Sequence, residues 1–132
     1  MKAIAAHIYG GLHPGSLVKV DDNSGAKILK IVSKEKYRGR RGRSADIGIA
    51  DIFQGSVVDG KVDMRKKIVR AVIIRQRKEY RRFTGERVKF EDNACVLINE
   101  KNEPQASEIK GVVAKEVAER FPKIATIAKN VV

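Results

Sequence analysis

The sequence predicts a mainly β protein, a small closed or partly open barrel of five or six short strands followed by one or two helices. Three observations support this fold class. Short segments in the first hundred residues alternate apolar and polar side chains or are rich in β-branched residues, as strands are. Clusters of turn-forming residues separate these segments. In the last quarter, apolar residues recur every four positions, which is typical of an amphipathic helix.

The first four strands follow from local patterns. Leu17–Val20 and Ala26–Ser33 alternate apolar and polar residues, and the turn formers of residues 21–25 predict a hairpin between them. Residues 47–58 are strand-like but contain two glycines. Residues 68–74, IVRAVII, are rich in β-branched side chains and predict a largely buried strand.

The next segment predicts a β-ribbon. Residues 75–90 carry basic and aromatic side chains on both sides of Thr84-Gly85, so that two arms and a glycine turn form a plausible protruding hairpin. Residues 93–99, NACVLIN, then predict an apolar strand, and Pro104 follows soon after it.

The C-terminal quarter predicts one helix and allows a second. Val113, Val117 and Phe121 share one helical face, and Pro122 ends the helix. Two ion pairs at i,i+4 are expected to support it, Lys115 with Glu119 and Glu116 with Arg120. Residues 124–128 allow a second short helix.

The 132 residues fit a single domain, residues 1–132, with the barrel in about 1–104 and the helical segment in about 105–132. No internal repeat or long linker divides the chain. The hydrophobic content of 42% is too high for a disordered basic tail. The longest uncharged stretch, residues 3–18, contains histidine, glycine and proline and is too short for a membrane span. With a single cysteine, Cys95, the sequence predicts a soluble cytosolic protein with no membrane partner.

The charge is strongly segregated along the chain. The formal net charge is +12, yet residues 34–43 contribute +5, residues 61–89 contribute +9, and all the others together contribute −2. A solvated charge run is the plain alternative, but only Glu35 interrupts the first segment. Clustered Lys and Arg release condensed counterions when they meet phosphates, so the pattern favours a polyanion partner. Lys66 and Lys67 of the second segment are therefore candidate RNA contacts.

Aromatic residues favour nucleic acid over a membrane or an acidic protein. Tyr37, Tyr80 and Phe83 lie inside the basic segments, where their rings could stack on exposed bases. The alternative is that each ring packs beneath a hairpin. Tyr80 is counted among the candidate RNA-binding residues.

Catalytic and metal sites are not predicted. Neighbouring residues of a strand point to opposite faces, so neither Asp21-Asp22 nor Glu91-Asp92 converges on one point, and turn hydrogen bonds and solvated charge are the expected roles. The spacings of the His and Cys residues match no structural zinc motif. We expect Cys95 to be a small core residue. The glycine-rich GRRGR lacks the ending of a P-loop. We therefore expect no enzyme, no cofactor and no metal.

Four segments carry a family resemblance that spans nearly the whole chain. DDNSGAK at 21–27, RAVIIRQRK at 70–78, RVKFEDNACVLIN at 87–99 and VVAKEVAERFPKIATIAKNVV at 112–132 resemble the universal large-subunit ribosomal proteins of the L-fourteen family. The segments IIRQRK and KFEDNA are more similar to archaeal and eukaryotic members than to bacterial ones. The chain departs from the family at Thr84 in the ribbon tip, at Ile49, at 105–107 and at Val112.

The resemblance implies a five-stranded barrel with a protruding ribbon, acting as a structural constituent of cytoplasmic large ribosomal subunits. The implied partners are large-subunit rRNA, neighbouring large-subunit ribosomal proteins, small-subunit rRNA across inter-subunit bridges and an anti-association factor. By position, the implied RNA contacts are Arg38, Arg40, Arg41 and Arg43 in one loop and Arg75, Arg77, Lys78, Arg81 and Arg82 in the ribbon. The implied protein-partner face is Ser107, Lys110, Lys115 and Glu119.

Two rivals share part of this pattern. A free-standing translation factor or RNA chaperone with an OB-like barrel would also be basic, but it would usually stack several bases on one sheet face, and few aromatic residues fall in the strands here. An RNA-modifying enzyme would need a nucleophile, base or metal cluster in a pocket.

Overall fold

Strands dominate the structure, a computed structural model that describes residues 2–40 and 45–132. In chain order the strands are β1 (Ala6–His7), β2 (Leu17–Val20), β3 (Ala26–Lys34), β4 (Ile52–Gly60), β5 (Ile68–Arg75), β6 (Tyr80–Arg82), β7 (Arg87–Val88), β8 (Ala94–Ile98), β9 (Ile109–Val113) and β10 (Ala128–Val131). The helices are α1 (Lys115–Arg120) and α2 (Pro122–Ile127).

Five strands close into a barrel in the order β2-β3-β4-β5-β8, which confirms the predicted fold class. Neighbouring strands are antiparallel, except that β2 closes the barrel by pairing parallel with β8. Leu29 and Ile31 of β3 and Phe53, Gly55 and Val57 of β4 are buried, whereas the residues that alternate with them, Lys30, Gln54 and Ser56, are exposed or half-buried. This alternation is the pattern that the sequence shows.

Strands β5 and β8 are buried on both faces at their centres. Residues 71–74 and 94–98 are all buried, because the C-terminal segment covers the outer side of these strands. Within that segment Val113, Val117 and Ile124 are fully buried, and the Ala114 amide donates to the carbonyl of Ile74. The barrel core and the helices therefore form one hydrophobic cluster.

The predicted ribbon is present, but it lies on the rest of the molecule. Strands β6 and β7 pair antiparallel, and β1 adds to β6 as a third strand. The tip contains Gly85 at φ 94°, a conformation that glycine adopts without steric cost. Tyr80 of β6 is fully buried, so the base of the ribbon packs on the body and only its tip projects.

The strand predicted over residues 47–58 begins at residue 52 instead. Residues 48–51 form a turn in which Ala50 has φ 66° and the Asp51 carboxylate accepts a hydrogen bond from the Gly48 amide (2.9 Å). The sequence-based prediction missed this turn because its four residues are mostly apolar.

The C-terminal segment contains more strand than predicted. Strands β9 and β10 pair in parallel on either side of the two helices, and neither was predicted. Pro122 ends α1 as expected, and it also begins α2. Lys115 and Glu119 form the expected i,i+4 pair at 3.9 Å. The expected pair of Glu116 with Arg120 is wrong, because the Glu116 carboxylate is buried and binds Arg82 at 2.9 Å.

Candidate nucleic-acid interface

The basic loop after β3 projects into solvent as far as the structure describes it. Arg38 and Arg40 are exposed, and neither forms an ion pair within residues 2–40 and 45–132. The start of the loop is anchored, because Lys34 binds the Asp51 carboxylate at 2.7 Å and Glu35 pairs with Arg70 at 2.8 Å. The other two predicted contacts of this loop, Arg41 and Arg43, lie outside the described residues.

The turn between β4 and β5 carries a second group of exposed cations. Lys66 and Lys67 are both exposed, and Arg65 forms a 3.4 Å pair with Asp59. The turn is fixed by backbone hydrogen bonds, including one from the Val57 amide to the Lys67 carbonyl (2.9 Å). Two predicted contacts are therefore presented from an ordered turn.

The ribbon carries a third cationic group. Arg77, Lys78 and Arg81, three of the predicted RNA contacts, are exposed. Arg77 is oriented by a bond from its Nε to the Glu91 carbonyl (2.8 Å). For Lys78 and Arg81, no ion pair forms with any part of the chain that the structure describes. These two side chains can therefore meet phosphates without first giving up an acidic partner.

Arg75 occupies a different position from the other predicted contacts. It is only 7% exposed, and its Nη1 donates to Asp21 Oδ2 (2.7 Å) and to the Val112 carbonyl (2.7 Å). Its Nε and Nη2 donate to the two oxygens of Asp92 at 2.8 and 3.0 Å. The hydrogen bonds from Arg75 hold the pKa of Asp92 below its usual range. All its donor nitrogens are thus engaged, and Arg75 joins β5 to β9 and to Asp21, the residue that follows β2.

Tyr80 and Arg82 form a second internal network with Glu116. The Tyr80 ring is fully buried, and its hydroxyl donates to Glu116 Oε2 at 2.8 Å. Arg82 donates from Nε to Glu116 Oε1 (2.9 Å) and from Nη2 to the Val132 carbonyl oxygen (2.6 Å). Burial and the Glu116 carboxylate raise the pKa of Tyr80. A ring with no exposed surface cannot stack on a base, so the stacking hypothesis fails for Tyr80.

Sequence reasoning missed both networks for one reason. Glu116 lies 36 residues from Tyr80, and the two acidic partners of Arg75 lie 17 and 54 residues from it, so no local charge pattern signals the pairing. The sequence offered one signal, Tyr80 inside a cationic run, and this signal is compatible both with stacking on a base and with packing beneath the ribbon.

The four residues of the predicted protein-partner face lie in two places. Lys115 and Glu119 are neighbours on α1. Ser107 is exposed beside the β2–β3 turn, where its hydroxyl accepts a hydrogen bond from the Asn23 amide (3.1 Å). Lys110 is exposed on β9. The structure therefore brings the predicted residues together as two small groups.

The candidate catalytic and metal-ligating residues have structural contacts. Asp21 and Asp22 are buried, contrary to the expectation of solvated charge, and Asp22 accepts from the Leu97 amide at 2.9 Å. Cys95 is fully buried as predicted, and burial raises the pKa of its thiol. Within residues 2–40 and 45–132, no three His, Cys, Asp or Glu side chains come together as a metal site would require. None of the described helices has the length and apolar character to span a membrane.

Comparison with known proteins decides the family. The family described as ribosomal protein L14p/L23e matches residues 11–132, which is almost the whole chain. The chain belongs to the ribosomal protein L14p/L23e family. The resemblance read from the four sequence segments is thereby confirmed, and membership of this family of structural ribosomal proteins agrees with the prediction that the chain is not an enzyme.

Individual members of the L14p/L23e family match over their full length. The chain is 53% identical to the large ribosomal subunit protein uL14 of Methanocella arvoryzae, over 100% of both proteins. It is 50% identical to the uL14 of Methanoregula boonei and 48% identical to that of Halobacterium salinarum, again over 100% of each. These relatives are archaeal, in agreement with the archaeal and eukaryotic character of the segments IIRQRK and KFEDNA.

Proposed function

We propose that this L14p/L23e family member is a structural component of the large ribosomal subunit that binds large-subunit rRNA through its exposed cationic loops. This role places it on cytoplasmic ribosomes. The observation that carries the proposal is the segregation of charge: residues 34–43 and 61–89 hold the entire net positive charge, and the remaining residues sum to −2. Phosphate neutralisation by such clusters releases counterions and supplies sequence-independent affinity.

We restrict the proposed contacts to residues whose charged groups are free to meet phosphates. These are Arg38, Arg40, Lys66, Lys67, Arg77, Lys78 and Arg81, together with Arg41 and Arg43 on the sequence evidence alone. Arg75 and Arg82 support RNA binding indirectly, because they hold the ribbon and the barrel end in place. A rigid mount matters, because it lowers the entropy lost when the loops bind.

We propose further that the C-terminal part faces other macromolecules of the ribosome. Lys115 and Glu119 on α1, with Ser107 and Lys110 beside β9, present mixed charge rather than a cationic surface. Mixed charge suits protein contacts, such as a neighbouring ribosomal protein or an anti-association factor. Small-subunit rRNA across an inter-subunit bridge is the remaining partner in this proposal.

The alternative function, a free-standing OB-like translation factor or RNA chaperone, has little support. Among the described residues, the exposed aromatic side chains are Tyr9, Tyr37 and Phe83, and none of them lies in a barrel strand. A sheet face without aromatic rings lacks the stacking platform that such factors use. Sedimentation of the tagged chain through a high-salt sucrose gradient separates the two readings, since a subunit component stays with the large subunit.

Charge reversal tests the proposed RNA contacts. We expect Arg38→Glu/Arg40→Glu and Lys78→Glu/Arg81→Glu each to weaken binding to large-subunit rRNA by roughly tenfold or more and to flatten its salt dependence. The measurement is the dissociation constant at several salt concentrations. The matched control is Lys123→Glu/Lys129→Glu, which changes the charge equally at lysines already paired with Glu103 and Glu108. Unchanged affinity and salt slope in both loop variants would refute the proposal.

A further inference from the structure

Phe83 at the tip of the ribbon is the most exposed large apolar side chain among the described residues, at 90%. The other two aromatic residues of the basic segments are much less exposed, since Tyr80 is buried and Tyr37 is 44% exposed. Any partner that covers this ring removes apolar surface from water, which is favourable in free energy.

The backbone beneath Phe83 is held firmly. The Gly85 amide donates to the Arg82 carbonyl (2.9 Å), and the Arg82 amide donates to the Glu86 carbonyl (2.8 Å). Arg82 is itself fixed through its side chain to Glu116. The ring therefore projects from an ordered turn, and a ligand that binds it would not have to order a flexible loop first.

A recess of about 420 Å³ lies between the ribbon tip and the N-terminal segment. This volume falls within the range of about 300–1,000 Å³ that is usual for small-molecule sites. The walls combine an apolar part with cationic and aromatic side chains; they include Ile4, Ala6, His7, Arg81, Arg82 and Phe83. The composition is that of a site for a flat, partly apolar group that bears negative charge.

The edge of the small sheet adds hydrogen-bonding groups beside this recess. Strand β1 pairs only with β6, where His7 lies opposite Arg81 and Ala6 opposite Arg82. The other edge of β1 has no strand partner in the part of the chain that the structure describes. Its backbone N–H and C=O groups are therefore available to the polar edge of a base.

Charge distinguishes the two sides of the Phe83 ring. Among the described residues, no carboxylate lines the 420 Å³ recess, which has two arginines in its wall. A second recess of about 280 Å³ on Phe83 is lined by three glutamates, Glu86, Glu116 and Glu119, against Lys115 and Arg82, so Arg81 is the arginine that lines the first recess alone. A phosphate-bearing ligand is therefore favoured on the arginine side and disfavoured on the acidic side.

We propose that Phe83 and the adjoining recess bind one unpaired nucleotide of the RNA, with the base stacked on the Phe83 ring and its phosphate near Arg81. This inference rests on the proposed RNA-binding function and adds a site that reads unpaired bases rather than backbone charge alone. Aromatic stacking suits unpaired RNA bases, because every base offers a flat face. An apolar pocket on a partner protein is the competing occupant, and cationic neighbours make it the less favoured one.

Two matched RNA hairpins test the site, one with a single-nucleotide bulge and the other fully paired. We expect Phe83→Ala to weaken binding of the bulged hairpin by roughly 10- to 100-fold. The affinity for the paired hairpin and the salt dependence should stay unchanged, because no charge is removed. Phe83→Leu should resemble Phe83→Ala, since leucine is apolar but cannot stack, whereas Phe83→Trp should retain full affinity.

The tryptophan variant also provides a direct signal. The chain contains no Trp, so the indole of Phe83→Trp is a unique fluorophore. Stacking predicts that its emission is quenched by the bulged hairpin and little affected by the paired one.

Failure of this inference is distinguishable from failure of the RNA-binding proposal. If Phe83→Ala binds the bulged hairpin as tightly as the wild type while Arg38→Glu/Arg40→Glu is impaired, the stacking site is wrong and the cationic loops stand. If Phe83→Leu keeps full affinity, the ring makes an apolar contact and stacking is likewise wrong. If the wild type binds neither hairpin nor large-subunit rRNA, the broader proposal fails.

Discussion

At the scale of the residue, position decides which arginines serve the fold and which remain available to RNA. Arg75 has its guanidinium enclosed by Asp21, Asp92 and the Val112 carbonyl, whereas Arg81 is exposed with no acidic partner in the described structure. Gly111 leaves room for the Arg75–Asp21 pair, because a Cβ at that position would collide with both side chains. Two arginines six positions apart therefore differ in role, since Arg75 joins parts of the fold and Arg81 stays exposed.

The Arg75–Asp92 pair predicts a specific loss of stability in acid. Because the pKa of Asp92 is lowered in the folded protein, its contribution is fully present above the unfolded value of about 3.9 and is lost as the pH falls through the folded pKa. We expect Asp92→Asn to lower the free energy of unfolding at pH 7 and to differ less from the wild type at pH 3. Urea denaturation at both pH values measures the gap.

A control separates this effect from general acid sensitivity. Glu100 is an exposed carboxylate without an ion pair in the described part of the chain, and Glu100→Gln should leave the gap small at both pH values. A gap between wild type and Asp92→Asn that stays constant from pH 7 to pH 3 would contradict the assignment.

At the scale of the element, the ribbon is attached to the C-terminal helix by a buried carboxylate. Glu116 of α1 accepts from both Tyr80 and Arg82 of β6, while β1 and β7 pair with the two edges of the same strand. The ribbon was predicted from its basic arms and glycine turn, and both arms are present. Its attachment could not be predicted, because the helical pattern identifies Glu116 only as a polar residue next to an apolar stripe.

A double-mutant cycle measures this attachment. Tyr80→Phe removes one hydrogen bond to a buried carboxylate and should lower the free energy of unfolding by about 1.5–3 kcal/mol, the usual range for bonds to charged groups. Combined with Glu116→Gln, it should show a coupling energy of about 1 kcal/mol or more. Lys115→Ala with Glu119→Ala is the control on the same helix, and this exposed pair should couple by less than about 0.5 kcal/mol. Equal coupling in both cycles would mean that Glu116 does not anchor the ribbon.

At the scale of the whole molecule, periodicity predicted the barrel better than it predicted the small sheets. Alternation along β2 and β3 and the β-branched run of β5 give the closed barrel, because burial on one or both faces leaves a clear pattern. Strand β1 has two residues and β10 is mostly exposed, so neither has a pattern to read. The site residues show the same limit. The exposed cations were predictable from charge runs, whereas the long-range pairing that engages Arg75 and Arg82 was not.

The barrel separates the cationic loops in space. At one end of β4 the Glu35 amide donates to the Ile52 carbonyl, and near the other end the Val57 amide donates to the Lys67 carbonyl. Five residue steps along the strand separate Ile52 from Val57, or roughly 17 Å. The loop after β3 and the β4–β5 turn, two of the three exposed cationic groups, therefore lie well apart on the barrel, and the proposed RNA binding would use them as two separate anchors.

Two separate anchors predict additive effects on RNA affinity. Substitutions more than about 7–10 Å apart with no shared partner usually add, so the combined loss in Arg38→Glu/Arg40→Glu/Lys66→Glu/Lys67→Glu should equal the sum of the two pairwise losses within about 0.5 kcal/mol. Binding to large-subunit rRNA is measured at one fixed salt concentration, and Lys123→Glu/Lys129→Glu is the reference whose change in charge matches that of each pair. If either pair alone removed all the affinity that the four changes remove together, both groups would be acting on one phosphate cluster. Additivity instead requires an RNA surface that extends along the barrel, which is the geometry expected of a protein that holds separated parts of an RNA in a fixed relation.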